Sequence, residues 1–339
     1  MPSAAILILN YNGRAHLETY LPEVIRSSEN IPIIIGDNAS TDDSVSWLQE
    51  NHPDIRLIQF DSNLGYCKGY NQMVQKVTKD LLVIMNSDIR PTKGWLSPLF
   101  FFLEQNQDVA AIMPKILSDG QKDHFEYAGA AGGYLDKYGY PFCRGRVFNC
   151  LEKDMGQYDK ARQVFWVSGA CFVVRRNVFI KSGGFDESFF AHMEEIDLCW
   201  RLQRMGHRLV CLPKSKVFHL GGGTLSYNHP FKVYLNHRNG LQLLIKNLPV
   251  RKRVSTVTLR IWLDMIAIMY YLAKGRFGAA WSVIRALFDV LFKIGKRSKR
   301  ANNFISSLDE DTQPILFDHS IVWQYFIRKK RRFTDLIPN

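Results

Sequence analysis

Four short apolar runs, each ending in Asn, Asp or Ser, fall within the first 88 residues. Residues 4–9 run into Asn10-Tyr11-Asn12-Gly13, and residues 31–35 into Gly36-Asp37-Asn38-Ala39-Ser40. Residues 55–60 run into Asp61-Ser62-Asn63-Leu64-Gly65, and residues 81–85 into Asn86-Ser87-Asp88. Segments suited to helices separate them, over 14–29, from Thr41-Asp42-Asp43-Ser44 onward, and over about 68–79. Buried parallel strands read as short continuous apolar runs. Strands that alternate with helices predict an α/β chain with a mostly parallel central sheet flanked by helices. Ligands of open α/β sheets bind beyond the carboxyl ends of the strands. A single polar strand end is ordinary turn chemistry. Four on one edge predict a polar rim for a hydroxyl-rich or phosphate-bearing ligand.

The usual phosphate-binding loops are missing. The first turn has one glycine, and no Gly-Lys-Ser/Thr loop follows any strand. A divalent ion is the natural substitute, and Asp88, just after a buried run, is placed to offer it an oxygen ligand. A helix is expected over 95–105 and a short strand over 109–113. Residues 114–162, rich in Gly and Tyr, read either as a binding loop or lid or as a structural insertion. A buried strand is expected over 164–174; Ser168-Gly169-Ala170 within it are small, as if something packs close there.

Next comes Gly183-Gly184-Phe185-Asp186-Glu187, then Glu194-Glu195-Ile196-Asp197-Leu198 at the start of a helical pattern. Acids favour the positive end of a helix, and Asp197 and Arg201 are spaced to pair. The same placement predicts carboxylates that ionise readily. Strands are expected over 209–212 and 217–219. His219 closes the second, ahead of Gly221-Gly222-Gly223, where a ligand role is reasonable. A helix over 230–246 carries Arg238, read as a surface charge in preference to a phosphate ligand.

Taken in order, these stretches resemble the family 2 glycosyltransferases with the GT-A fold, most of all the bacterial rhamnosyltransferase-like branch. The resemblance covers about residues 3–245 and rests on Asn10-Tyr11-Asn12-Gly13, Asp37-Asn38-Ala39-Ser40, Asn63-Leu64-Gly65, Asn86-Ser87-Asp88, the Gly-Gly-Phe-Asp-Glu and Glu-Glu-Ile-Asp-Leu stretches, and His219-Leu220-Gly221-Gly222. It implies an inverting, metal-dependent transfer from a nucleotide-sugar, dTDP-rhamnose or a UDP-sugar, to a growing cell-surface glycan or lipid-linked acceptor. By that resemblance Asn10, Asn12, Asp37, Asn38, Asn63, Gly65, Asn86 and Ser87 face the donor. Asp88 and His219 hold Mg2+ or Mn2+, with Asn86 where the family's metal motif has its first acid. Trp166, Ser168, Gly169 and Ala170 lie on the acceptor side. Glu195 stands where the family has the aspartate of a Glu-Asp pair and is the expected base; Glu194 and Asp197 are the alternatives.

The net charge of +12 is uneven. From Leu248 to Asn339 the chain holds 17 Lys/Arg and 7 Asp/Glu, so the main body is nearly neutral. The expected division is a catalytic domain over 1–247 and a basic helical region over 248–339. Two apolar segments, 257–272 and 277–288, contain Arg260, Asp264 and Arg285, so neither reads as a clean span. Basic clusters follow at 293–300 and 328–332. This pattern predicts a peripheral protein on an anionic membrane, at the cytoplasmic face of the inner membrane. The alternative is a helical pair packed on the catalytic domain or across a homodimer interface. A non-catalytic lipid- or nucleic-acid-binding protein is the competing function, but no nucleic-acid motif is present. The six cysteines are scattered and read as reduced thiols.

Overall fold

The computed structural model describes residues 3–28, 30–221, 229–292 and 313–338. The first half alternates as expected. It runs β1 (Ala4–Asn10), α1 (Arg14–Ser27), β2 (Ile33–Asp37), α2 (Ser44–Asn51), β3 (Arg56–Gln59), α3 (Gly65–Gln75), β4 (Leu81–Met85), β5 (Ile89–Pro91), α4 (Leu96–Gln105) and β6 (Val109–Ser118). Four short strands follow: β7 (Gly133–Leu135), β8 (Pro141–Cys143), β9 (Arg146–Val147) and β10 (Cys150–Leu151). Then come β11 (Arg162–Gln163), β12 (Cys171–Arg175), α5 (Arg176–Lys181), α6 (Glu194–Arg204) and β13 (Arg208–His219). Helices close the chain: α7 (Pro230–Asn247), α8 (Val250–Ala273), α9 (Phe277–Phe292) and α10 (Ile321–Phe326).

The main sheet is nine-stranded, in the order β11-β13-β6-β12-β4-β1-β2-β3, with β5 paired to β13. The β4-β1-β2-β3 half and the β13-β6 pair are parallel, and β12 runs antiparallel between them. β1 and β4 are buried on both faces because helices cover both. Register places Asn10 beside Asp37 and Ile8 beside Met85, so the polar strand ends share one edge.

Two expectations change and a third narrows. The two strands foreseen around 209–219 are one strand, with a register shift between Leu212 and Lys216. Pro213, which has no N–H to give a ladder, lies within that shift. The strand foreseen over 164–174 begins only at Cys171. Residues 114–162, open in sequence between a binding loop or lid and a structural insertion, hold several short strands. They extend β6 and then build the four-stranded sheet β10-β9-β8-β7. Its Phe142 packs against Phe317 and Phe333 of the returning C-terminal segment. The buried Asp136 accepts the Tyr138, Tyr140 and Ile321 amides, which ties the same two regions together.

Candidate active site

Asp88 and His219 are 131 positions apart in sequence but adjacent in space, because β5 pairs with the end of β13 and sets Ile89 opposite His219. The Leu220 amide donates to the Asp88 carbonyl at 3.2 Å. The Asp88 Oδ1 to His219 Nε2 separation is 3.1 Å. The other ring nitrogen faces Glu126 Oε2 at 3.2 Å, off the line of a straight hydrogen bond. Burial pulls the His219 pKa down, but the Glu126 and Asp88 carboxylates outweigh it and push it up to about 10. Burial likewise opposes ionisation of Asp88, and the His219 partner overcomes it, holding the carboxyl below its ordinary value. Glu126 is the residue that sequence reasoning missed; an isolated acid inside a Gly- and Tyr-rich stretch gives no signal.

As it stands the Asp88–His219 contact is an ion pair with the Nε2 proton directed at Asp88, and a divalent ion here would have to displace that proton before the imidazole nitrogen could serve as a ligand. Glu126 sits on the far side of the ring and so cannot share that ion. Among the described residues no group of three His, Cys, Asp or Glu side chains could hold a metal. An ion here would take two protein ligands and complete its shell from phosphate and water, the usual arrangement for Mg2+. Gly222 and Gly223 of the adjoining loop lie outside the described residues.

Along the same edge the strand ends knit to each other. The Asn10 amide donates to Asp37 Oδ1 at 3.1 Å and to Ser40 Oγ at 3.2 Å. Asn12 Oδ1 accepts the Thr41 amide at 2.7 Å. Asn38 donates to Asn63 Oδ1 at 3.0 Å and accepts the Leu64 amide at 2.9 Å. Asn10, Asp37 and Asn38 are thus buried and hold the rim's shape, while Asn12 and Asn63 are exposed on it. Asn86 and Ser87 are half-buried, and the Asn86 amide donates to the Ala170 carbonyl at 2.9 Å. Gly65 has φ +72°, and a Cβ there would meet the Phe190 ring at 2.9 Å, so only glycine allows this approach.

That bond to Ala170 carries the edge to the acidic stretch. A Cβ placed on the neighbouring Gly169 would lie 3.6 Å from Glu195 Cβ and 3.3 Å from Tyr66 Oη. The Tyr66 hydroxyl donates to the Gly169 carbonyl at 2.7 Å. Asn86, Ala170, Gly169 and Glu195 therefore form one continuous edge. Trp166 and Ser168 do not face it. The Trp166 indole donates to the Tyr134 carbonyl at 2.9 Å, and the Ser168 hydroxyl to the Ala128 carbonyl at 2.6 Å. Both are buried.

The segment entering α6 is strained. Phe190, His192 and Met193 have φ of 65°, 67° and 70°, a region costly for side chains with a Cβ. Helix α7 holds it there. The buried Asn239 amide faces three carbonyls, those of Phe189, Ala191 and His192, at 3.1, 2.9 and 2.7 Å. Arg238 donates to the Ser188 and Phe189 carbonyls at 3.1 and 2.9 Å. It is half-buried and engaged, not the surface charge expected.

The three acids of the stretch differ sharply. Asp197 is sealed in a cluster with Arg201 at 2.9 Å, Lys246 at 2.7 Å and Asn247 at 2.9 Å. Burial opposes its charge, but Lys246 and Arg201 prevail and keep it ionised. It therefore serves the packing of α6 on α7, not the open edge. Among the described residues no cation pairs with Glu194 or Glu195, and each has a buried, unpaired Oε2. Burial raises the Glu194 pKa well above the ordinary value, with Glu195 adding repulsion. Burial raises Glu195 to about 7. The helix start predicted the opposite direction. Desolvation outweighs the helix end here because no donor side chain accompanies it.

A parallel α/β sheet with its polar rim, a paired Asp and His, and buried carboxylates on one edge define a GT-A-fold glycosyltransferase. Residues 5–183 match the model of the glycosyl transferase family 2, and the chain belongs to that family. It is 27% identical over 233 residues to the N-acetylglucosaminyl-diphospho-decaprenol L-rhamnosyltransferase of Mycobacterium tuberculosis, covering 63% of this chain and 75% of that one. It is 23% identical over 290 residues to the low-salt glycan biosynthesis hexosyltransferase Agl10 of Haloferax volcanii, covering 84% and 85%. Its fold is similar to that of the mannosyltransferase PcManGT from Pyrobaculum calidifontis, solved in complex with GDP-Man and Mn2+. The TM-score is 0.53 at 14% identity, over 86% of this chain and 88% of that one.

Proposed function

We propose that this glycosyltransferase moves a sugar from dTDP-rhamnose or a UDP-sugar to a hydroxyl of a growing cell-surface glycan or lipid-linked acceptor, with inversion. The observation that carries this reading is Glu195: a half-buried carboxylate with one buried, unpaired oxygen, beside Gly169, on the edge that leads through Asn86 to Asp88. Glu195 takes the proton of the acceptor hydroxyl as its oxygen attacks the anomeric carbon and the bond to the diphosphate breaks. A base with a pKa near the working pH is well matched to that step. Burial and the Glu195 charge raise the Glu194 pKa well above its ordinary value, so the pair resists carrying two negative charges.

Asp88 and His219 would hold Mg2+ or Mn2+, which would supply charge neutralisation to the departing diphosphate. Asn12 and Asn63 are the exposed rim groups offered to the nucleotide, with Asn10, Asp37 and Asn38 shaping the rim beneath them. The rhamnosyltransferase relative, with its diphospho-decaprenol substrate, supports rhamnose as donor sugar and a lipid-linked acceptor. Such an acceptor places the enzyme at the cytoplasmic face of a membrane, with residues 1–247 as the catalytic domain.

The test is a thermal-shift panel of dTDP- and UDP-sugars, with and without Mn2+. A ligand at a hundred times its Kd should stabilise the protein by about 2.7 kcal/mol. One donor class should raise the melting temperature, and more so with metal. No shift from any donor would remove the reading.

A further inference from the structure

The C-terminal helices carry a surface that the proposed transfer does not use. On α8, Trp262, Ile266 and Met269 recur at helical spacing; on α9, Trp281, Phe288 and Phe292 do the same. All six are between 59% and 71% exposed. The buried residues of the same helices, Arg260 and Asp264 on α8 and Val283 and Ala286 on α9, are two positions away from members of these stripes. Two residues turn a helix by about 200°, so each stripe lies opposite its buried face. From Val254 to Ala273 the only charged residues are that buried Arg260 and Asp264, so the exposed side of α8 has no charge over five turns. Contiguous exposed apolar surface of this kind marks an interaction site.

We infer that the outer face of α8 and α9 lies in the headgroup layer of a bilayer containing anionic phospholipid. Charge selects this occupant. Arg251 and Lys252 precede the α8 stripe, Lys274 and Arg276 stand at the turn, and the run Lys293–Arg300 follows α9 directly in sequence. An apolar strip between basic ends matches acyl chains beneath anionic headgroups. A second copy would fit less well. A two-fold contact sets the patch against itself and brings its basic surroundings together.

The orientation follows from α8 itself, which is long and apolar enough to cross a membrane by length and composition. Its charged pair binds the body instead. Arg260 donates to the Tyr138 carbonyl at 2.8 Å, and Asp264 accepts the Tyr140 hydroxyl at 3.0 Å and lies 2.9 Å from His237 Nδ1. A span would tear these contacts open and carry both charges into hydrocarbon. The helix therefore lies on the bilayer and does not cross it.

Vesicle flotation of the full chain tests this with no donor or acceptor present, so its outcome is separate from that of the donor panel. Wild type should float with vesicles containing phosphatidylglycerol and not with phosphatidylcholine alone, and high salt should release it. Trp262→Glu with Trp281→Glu should lower the bound fraction about tenfold or more while leaving the melting temperature and donor shift unchanged. Lys252→Glu with Lys274→Glu, which spares the apolar stripes, should weaken binding to anionic vesicles alone. The inference is overturned if wild type floats with neither vesicle, if the double tryptophan variant floats like wild type, or if only detergent releases the protein. A dimer that the tryptophan variant dissociates, with no flotation, would assign the face to a second copy.

Discussion

Glu195 decides at the residue scale what this site can do. Below the ordinary Glu pKa it is protonated both folded and unfolded, and burial of its charge has no effect. Above about 7 the folded protein must hold a carboxylate with a buried, unpaired oxygen. Its contribution to stability therefore falls between those two pH values. Glu195→Gln should raise the melting temperature by roughly 2–4 °C at pH 8 and leave it unchanged at pH 4. Calorimetric scans at the two values read this directly. Transfer by wild type should rise with pH through about 7, where Glu195 ionises. A second prediction concerns Glu126, which fixes His219 from behind and leaves Nε2 directed at Asp88. Glu126→Ala should weaken Mn2+ binding, followed by electron paramagnetic resonance, by about 10–100-fold, and Glu126→Gln by less.

At the scale of elements the strained entry to α6 depends on α7. Asn239→Ala removes the side-chain donor of the Ala191 and His192 carbonyls, while the Phe189 carbonyl keeps Arg238, and should cost about 1–3 kcal/mol locally. Hydrogen exchange should quicken in residues 186–193, and transfer should slow. Lys246→Met should be harsher, about 3–5 kcal/mol in chemical denaturation, because Asp186 and Asp197 would lose a shared buried cation. None of this support was legible in the sequence. The acids of the stretch stood out because they cluster in one run. Asn239 and Lys246 lie in a plain amphipathic helix, and only tertiary packing brings them to the loop. The pKa direction was missed for the same reason: a helix start is visible in sequence, whereas the absence of a cation paired with Glu195 among the described residues is not. The Asp197–Arg201 pair is readable from spacing, whereas Lys246 and Asn247, which close the rest of the cluster around Asp197, are not.

The whole molecule is a GT-A sheet with a C-terminal half-collar. The sheet was legible because buried parallel strands, helices and polar ends recur with one period through residue 88. The strand β12 was legible as part of the apolar run 164–174, but its antiparallel pairing and the small sheet β7–β10 were not, since long-range pairing sets them and the strands of that sheet are two or three residues long. The returning segment 313–338 was invisible too, and it covers that small sheet through Phe317, Phe333 and the Asp136 bonds. Removing residues 313–339 should therefore expose Phe142 and give an aggregating protein, which light scattering would detect.

The central claim is that Glu195 is the base of a glycosyl transfer to which donor binding is a separate contribution. The direct measurement is nucleoside diphosphate release from the donor found in the panel, with Mn2+ and a membrane extract as acceptor. Wild type should release it steadily. Glu195→Gln should lose about 100-fold or more in rate while its donor-induced thermal shift stays intact. A Glu195→Gln variant that turns over like wild type would contradict the account.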